Sequence, residues 1–389
     1  MAIKAEAVDR KVLAKTRRLP LGAIVSPAQF VLGTLLALAV GAVILLIFGE
    51  NPITAYQALI KGALGSKRTI AETMLSATPL ILGGLAVAVG FRCGLFNMGV
   101  EGQIVLGGLL SAYLGYALSL PWYLHLPLGL LSGSLAGAAW GAIPGYLKAR
   151  YRIHEVITTI MLNYIAFAIG SYMVAVGGPM KEITESLPAS PKILETARLA
   201  RLWPGTRLTA GIIIALVTAV LAWIFLFKTR LGYKLRAVGL NRDAAEYAGI
   251  SPQRFTVLAM VLSGALGGLA GAVEVLGVHY RFFENFSPGY GWDAIAVALL
   301  GLLHPAGVVA AAFLLGILRS GSVAMQAVEQ ISKDVVLVLT ALIIFFTAMN
   351  QSLRPILERR IARVGLAKNT EADVAPETEV KANGVVPKG

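Results

Sequence analysis

The 389-residue sequence holds a single cysteine, Cys93, and only four histidines, His125, His154, His279 and His304, which lie far apart. One thiol excludes an intrachain disulfide and a thiolate zinc cluster, and the histidine spacing points to no metal centre. Charge is scarce as well, at 14% of residues against about a quarter in a soluble domain. No nucleophile or metal constellation of the kind a membrane-embedded enzyme needs is found, so the chain reads as a non-enzyme. GALGSKRT, starting at Gly62, looks superficially like a phosphate loop but lacks the GK[ST] ending. The chain is therefore expected to bind no nucleoside triphosphate itself.

What is present in abundance is apolar sequence, 57% of the chain, which indicates a polytopic all-α membrane protein. The first apolar run, 29–49, is about 20 residues long, enough to cross the hydrocarbon and longer than the core of a cleavable signal. Further spans are expected at about 70–90, 104–118, 126–147, 155–176, 208–227, 255–277, 292–303, 307–326 and 335–348, which makes about ten, two of them short. A net charge of +13 would suit nucleic acid, but most basic residues flank apolar runs. With the N-terminus inside, 23 of the 34 Lys and Arg fall in inner segments and 10 in outer ones. That asymmetry satisfies the positive-inside rule and predicts both termini in the cytoplasm. The organisation expected is a basic cytoplasmic start (1–28), a transmembrane domain (29–348) and a largely disordered cytoplasmic tail (349–389).

Polar groups interrupt this apolar sequence in two places. Between Leu80 and Ala112 the run breaks at FRCGLFNMGVEGQ, which sets Glu101 among Asn97, Gly99, Gly102 and Gln103. A charge at membrane depth costs roughly 2.5–3.5 kcal/mol on insertion scales, so such a residue faces a cavity or a partner. Glycine-broken helices of this kind build transport sites; the bland reading is a cytoplasmic loop with Glu101 in water. The second interruption is FSPGYGWDAIAVALLG. Each follows one copy of an echo, GGLAVAV at Gly83–Val89 and GGLAGAV at Gly267–Val273, which would be inverted copies five crossings apart. On that repeat Glu101 and Asp293 occupy comparable places. Phe96, Phe286, Tyr290 and Trp292 flank the interruptions, either as stacking surfaces or as interface anchors. Gly133, Gly137, Gly141 and Gly145 recur every fourth residue and read as a packing seam. Residues 177–207 form the longest outer loop, a surface for an external partner.

The inner segment at about 228–254 contains AVGLNRDAAEYAGI. Asn241 is suited to cap a short helix over about 242–248, Asp243 to its positive end and Gly249 to a left-handed stop. Ala244, Ala245 and Ala248 then make a small-residue face suited to a partner's groove; an ordinary interfacial loop helix is the plain alternative.

GLFNMGVEGQ, AVGLNRDAAEYAGI and PGYGWDAIAVALLG, in this order between about Ile70 and Ala348, resemble the permease subunits of ABC importers for nucleosides and simple sugars, relatives of the ribose and branched-chain amino acid permeases. The resemblance implies a permease of the prokaryotic cytoplasmic membrane that passes substrate, nucleosides first and simple sugars second, from an external binding lipoprotein to the cytoplasm. It implies ATP hydrolysed by a partner ATPase and a second, related permease in a heterodimer. Gly239, Asn241, Asp243, Ala244, Ala245, Tyr247, Ala248 and Gly249 would form the segment that couples to the ATPase. Phe96, Asn97, Glu101, Gln103, Tyr290, Trp292 and Asp293 would line the path or its gate. An ion-coupled secondary transporter would share the hydropathy and the broken helices, with Glu101 and Glu274 as coupling carboxylates.

Overall fold

The computed structural model describes residues 38–184 and 186–329, with residues 35, 36, 338, 341, 342, 345 and 346. The chain divides into two units, Val40–Ile344 and a second made of Met1–Ala39 with Phe345–Gly389; the architecture that follows is that of the first. The basic start, the tail and most of the span expected at 335–348 lie outside the described residues.

Among the described residues the regular structure is helical, with two isolated bridges, Ala189 to Phe283 and Arg201 to Thr209. In chain order the helices are α1 (Leu38–Ile47), α2 (Pro52–Leu64), α3 (Lys67–Arg92), α4 (Val100–Ala117), α5 (Trp122–Tyr151), α6 (Glu155–Val174), α7 (Gly211–Lys228), α8 (Arg230–Leu240), α9 (Arg242–Tyr247), α10 (Pro252–Glu274), α11 (Tyr290–Leu300) and α12 (Pro305–Glu329). A π-helical turn, Val275–His279, prolongs α10. Among the described residues six helices are long and apolar enough to span a membrane, namely α3, α5, α6, α7, α10 with its π turn, and α12. Of the two short spans expected, 292–303 appears as α11, of 11 residues, and 335–348 lies mostly outside the described residues; the span expected at 104–118 is α4, of 18 residues.

Local chemistry sets several helix starts. Asn51 caps α2, its side chain accepting from Ile53 N, and Pro52 follows at the first helical position. The GALGSKRT motif is a helix start: Ser66 and Thr69 form a reciprocal capping box at the head of α3. α2 falls in the outer segment between the first two expected spans, and α8 in the inner segment at about 228–254. Both are amphipathic, so neither carries the long apolar run that betrays a span.

Burial separates centre from flank. In α3, 83% of the apolar window is buried inside the chain, against 28% in both α5 and α6. The outward sides of α5 and α6, with Leu131, Leu135, Ile157 and Met161 exposed, are left for lipid or another subunit. The most extensive contact is α10 on α5. It is made by the glycine seam, because a Cβ at Gly137 would enter the backbone of Gly264 and Gly268, and one at Gly141 the Met260 carbonyl. Only hydrogen at those positions lets the two backbones come so close.

The bundle has two distinct ends. At the basic end Lys148 pairs with Glu155 at 2.7 Å, and Arg92 Nε donates to Leu303 O at 3.0 Å. The opposite end carries residues 175–210, which do not form a free loop. Ser190 N and Ile193 N donate to Phe282 O and Tyr280 O, Leu194 N to Gly115 O and Leu199 N to Leu276 O, each at 2.8–2.9 Å. These bonds hold the loop against residues 280–282, the π turn and the end of α4.

Candidate functional site

Two chain breaks face each other inside the bundle. Residues 93–99 separate α3 from α4, and residues 280–289 separate α10 with its π turn from α11. Each break feeds the N-terminus of a short helix, so the GGLAVAV and GGLAGAV helices are followed by the same order of elements.

The first break is fastened by amides. Asn97 donates through Nδ2 to Ser263 Oγ at 2.7 Å and accepts at Oδ1 from Gly99 N at 2.9 Å; Ser263 in turn donates to Ala86 O at 2.6 Å. Gln103 Oε1 accepts from Asn97 Nδ2 at 3.2 Å. Asn163 of α6 bridges the bend, accepting from Gly102 N at 2.9 Å and donating to Met98 O at 2.8 Å. Freed backbone polar groups at this depth have no water to turn to, so side chains satisfy them. Asn97, Gln103 and Asn163 are all buried.

Glu101, in the first turn of α4, is only 3% exposed, which rules out a carboxylate in bulk water. Its Oε2 accepts from Gly291 N at 2.5 Å, joining the N-termini of α4 and α11. Gly291 is obligatory there, because a Cβ would run into the Glu101 backbone. Beside the junction lies a cavity of about 200 Å³ lined by Glu101, Phe282, Glu284, Phe286 and Trp292, with Ser171 of α6 on its wall. Ser171 Oγ donates to Glu284 Oε1 at 2.7 Å. On the far side of α11, Asp293 pairs with Arg319 of α12 at 2.9 Å. Arg319 also donates to Pro288 O at 3.2 Å and lies 4.7 Å from the centre of the Tyr290 ring.

Of the residues named from sequence for a path, Glu101 and Trp292 line this cavity. Asn97 and Gln103 instead hold the bend, Asp293 and Tyr290 take part in the Arg319 contact, and Phe96 stacks edge-on against Phe91 at 4.5 Å. Asn163, Ser171, Ser263, Glu284 and Arg319 went unassigned. Asn163, Ser263 and Arg319 each left a signal, a lone polar group in an apolar helix, which at membrane depth must find a partner. Their partners lie far off in sequence, and nothing local names them.

At the basic end, α8 and α9 form a hairpin of helices. Asn241 Oδ1 accepts from Ala244 N at 2.9 Å, which caps α9, and Gly249 with φ +76° ends the turn. The small-residue face needs correction at Ala245. That residue is 4% exposed and packs within the chain in a cluster with Val238 and Ile250. The face left open carries Ala244, Ala248, Asp243 and Tyr247, with Tyr247 95% exposed and the preceding Leu240 87%. The three alanines share about 100° of the helix surface, and it is the chain's own apolar cluster with Val238 and Ile250 that takes Ala245 from the edge of that face. Gly239 also serves the chain, since a Cβ there would strike the Arg92 carbonyl and Cys93. Through Gly239 the hairpin touches the residues that open the first break, and through Arg92 that bend reaches the end of α11.

Comparison with known proteins places this architecture. Residues 69–348 match the family described as branched-chain amino acid transport system / permease component. The guanosine ABC transporter permease protein NupP of Bacillus subtilis is 43% identical over 82% of this chain and 92% of its own length. The nucleoside ABC transporter permease protein NupB of Lactococcus lactis is 39% identical over 85% and 92%. The glucose ABC transporter permease protein TsgB13 of Haloferax volcanii is 34% identical over 89% and 92%. A second permease from each of the first two organisms, NupQ and NupC, matches at 27% and 28%. No solved structure matches the chain significantly. A helical membrane domain with two broken helices meeting at a buried carboxylate, matched by the family model over most of its length, belongs to the branched-chain amino acid transport system permease family.

Proposed function

We propose that this chain is the membrane-spanning subunit of an ATP-driven ABC importer that carries nucleosides into the cytoplasm. The observation that carries the reading is the 43% identity, over 82% of this chain and 92% of the relative, to a guanosine ABC transporter permease. The junction of Glu101 and Gly291 is the path or its gate, and Asn97, Gln103 and Asn163 hold it in shape. Phe96, Tyr290, Trp292 and Asp293 flank it. The α8–α9 hairpin docks on the ATPase through Leu240, Asp243, Ala244, Tyr247 and Ala248, with Asn241 and Gly249 shaping the turn. ATP is hydrolysed by that partner.

The basic end then faces the cytoplasm of a prokaryotic cell and residues 175–210 face an external binding protein, as the distribution of Lys and Arg supports. A second, related permease completes a heterodimer; pairs of permeases from single organisms among the relatives support this. Glucose is the second substrate reading, favoured by the 34% identity to TsgB13.

The test is uptake into proteoliposomes that hold the complete complex. Labelled guanosine should accumulate with ATP on the side of the ATPase and not with an ion gradient alone. Uptake driven by the gradient without ATP would refute the importer, and glucose uptake without nucleoside uptake would shift the substrate class.

A further inference from the structure

The cavity beside Glu101 has a chemistry of its own. Its apolar wall is aromatic: Phe282 and Phe286 are 1% and 3% exposed and meet edge to face at 5.3 Å, with Phe167 and Trp292 also lining it. Its polar wall carries two carboxyl groups, Glu101 and Glu284, beside Ser171, Asn285 and Ser287, and among the described lining residues there is no lysine or arginine. Such a site repels a phosphate ester and offers hydrogen-bond acceptors beside flat apolar faces. A volume of about 200 Å³ suits a purine base better than a whole nucleotide.

We propose that this cavity binds the base of the transported nucleoside and that Glu101 makes it selective for bases presenting N–H donors. The inference rests on the nucleoside reading above. A carboxyl group accepts and, when ionised, cannot donate. Guanine presents two adjacent N–H groups on its pairing edge and hypoxanthine one, whereas adenine sets a ring acceptor beside its amino group. Against the carboxylate that ring acceptor meets another acceptor. Stacking on the aromatic wall serves every base alike, and of the polar groups on the opposite wall we assign the discrimination to Glu101. Glu101 suits this role because its position is fixed: Gly291 N holds Oε2 and α4 holds the backbone.

Glu101→Gln replaces one acceptor oxygen with a donor amide, which suits adenine, as glutamine does in reading adenine edges. In proteoliposomes the guanosine-to-adenosine uptake ratio should shift by about tenfold toward adenosine, within the range a specific base contact supplies. The affinity of the binding protein, measured separately, should stay unchanged. Phe286→Leu should lower uptake of both without moving the ratio. Photolabelling of the purified complex with 8-azidoguanosine reads binding even where transport is lost. The label should fall on residues 280–292, and guanosine should compete for it far better than adenosine in the wild type but not in Glu101→Gln. An unchanged ratio and unchanged competition in Glu101→Gln, or labelling elsewhere, would overturn the inference and leave the importer reading intact. A wild-type complex that moves no nucleoside at all would instead remove the reading beneath it.

Discussion

Replacing Gly291 by alanine puts one methyl group at the meeting of α4 and α11. The added Cβ would fall on the Glu101 backbone, with Glu101 Oε2 at 2.8 Å, so the two helix ends must part. Two costs follow. Overpacking a fitted contact costs about 1–3 kcal/mol, and separating Gly291 N from Glu101 Oε2 forfeits a hydrogen bond to a carboxylate, about 1.5–3 kcal/mol. Together that is about 2.5–6 kcal/mol of destabilisation at the junction, roughly sixtyfold or more at 1.4 kcal/mol per tenfold change. The long spanning helices are untouched, so the variant should insert at normal levels. It should nevertheless melt earlier in detergent and lose most uptake. Gly49→Asn is the matched control: its Cβ would meet nothing within 4 Å, and asparagine tolerates the left-handed φ of +82°. If Gly291→Ala kept wild-type melting and uptake while inserting normally, the close approach of α4 and α11 would be wrong.

Three further outcomes are expected. Tyr247→Ala should leave the permease folded but weaken ATPase co-purification, whereas Ala245→Trp should destabilise the permease itself because Ala245 is buried; loss of the ATPase alone in Ala245→Trp would return that residue to the docking face. Asp293→Asn and Arg319→Gln should each cut uptake severalfold, and the double variant should lose less than the two losses combined, since each single change strands a partner; strictly additive losses would mean the pair is uncoupled. An impermeant thiol reagent applied to intact cells should label a cysteine placed at Val176, 93% exposed, and not one at Asn241. The native thiol gives little background, because Cys93 is only 4% exposed. External labelling at Asn241 would invert the topology.

Much of this protein is legible in one dimension because membrane physics is local. An apolar run long enough to cross hydrocarbon becomes a helix whatever its neighbours are. Asn241 caps α9 and Gly249 ends it through contacts no more than a few residues away. The glycine seam of α5 announced a close helix contact through its spacing alone, though it did not name α10. The polar break around Glu101 was visible because a carboxylate inside an apolar stretch is conspicuous. What sequence could not supply is the identity of partners across space. Glu101 meets Gly291 across 190 residues, and Asn97 meets Ser263 across 166. Amphipathic α2 and α8 lacked the apolar length that reveals a span. Ala245 resembles its neighbours Ala244 and Ala248 in every local respect, and only packing against Val238 and Ile250 turns it inward. Composition, length and caps act within a turn or two of helix. Which polar groups converge, and which small residues are buried, is decided by how the helices pack.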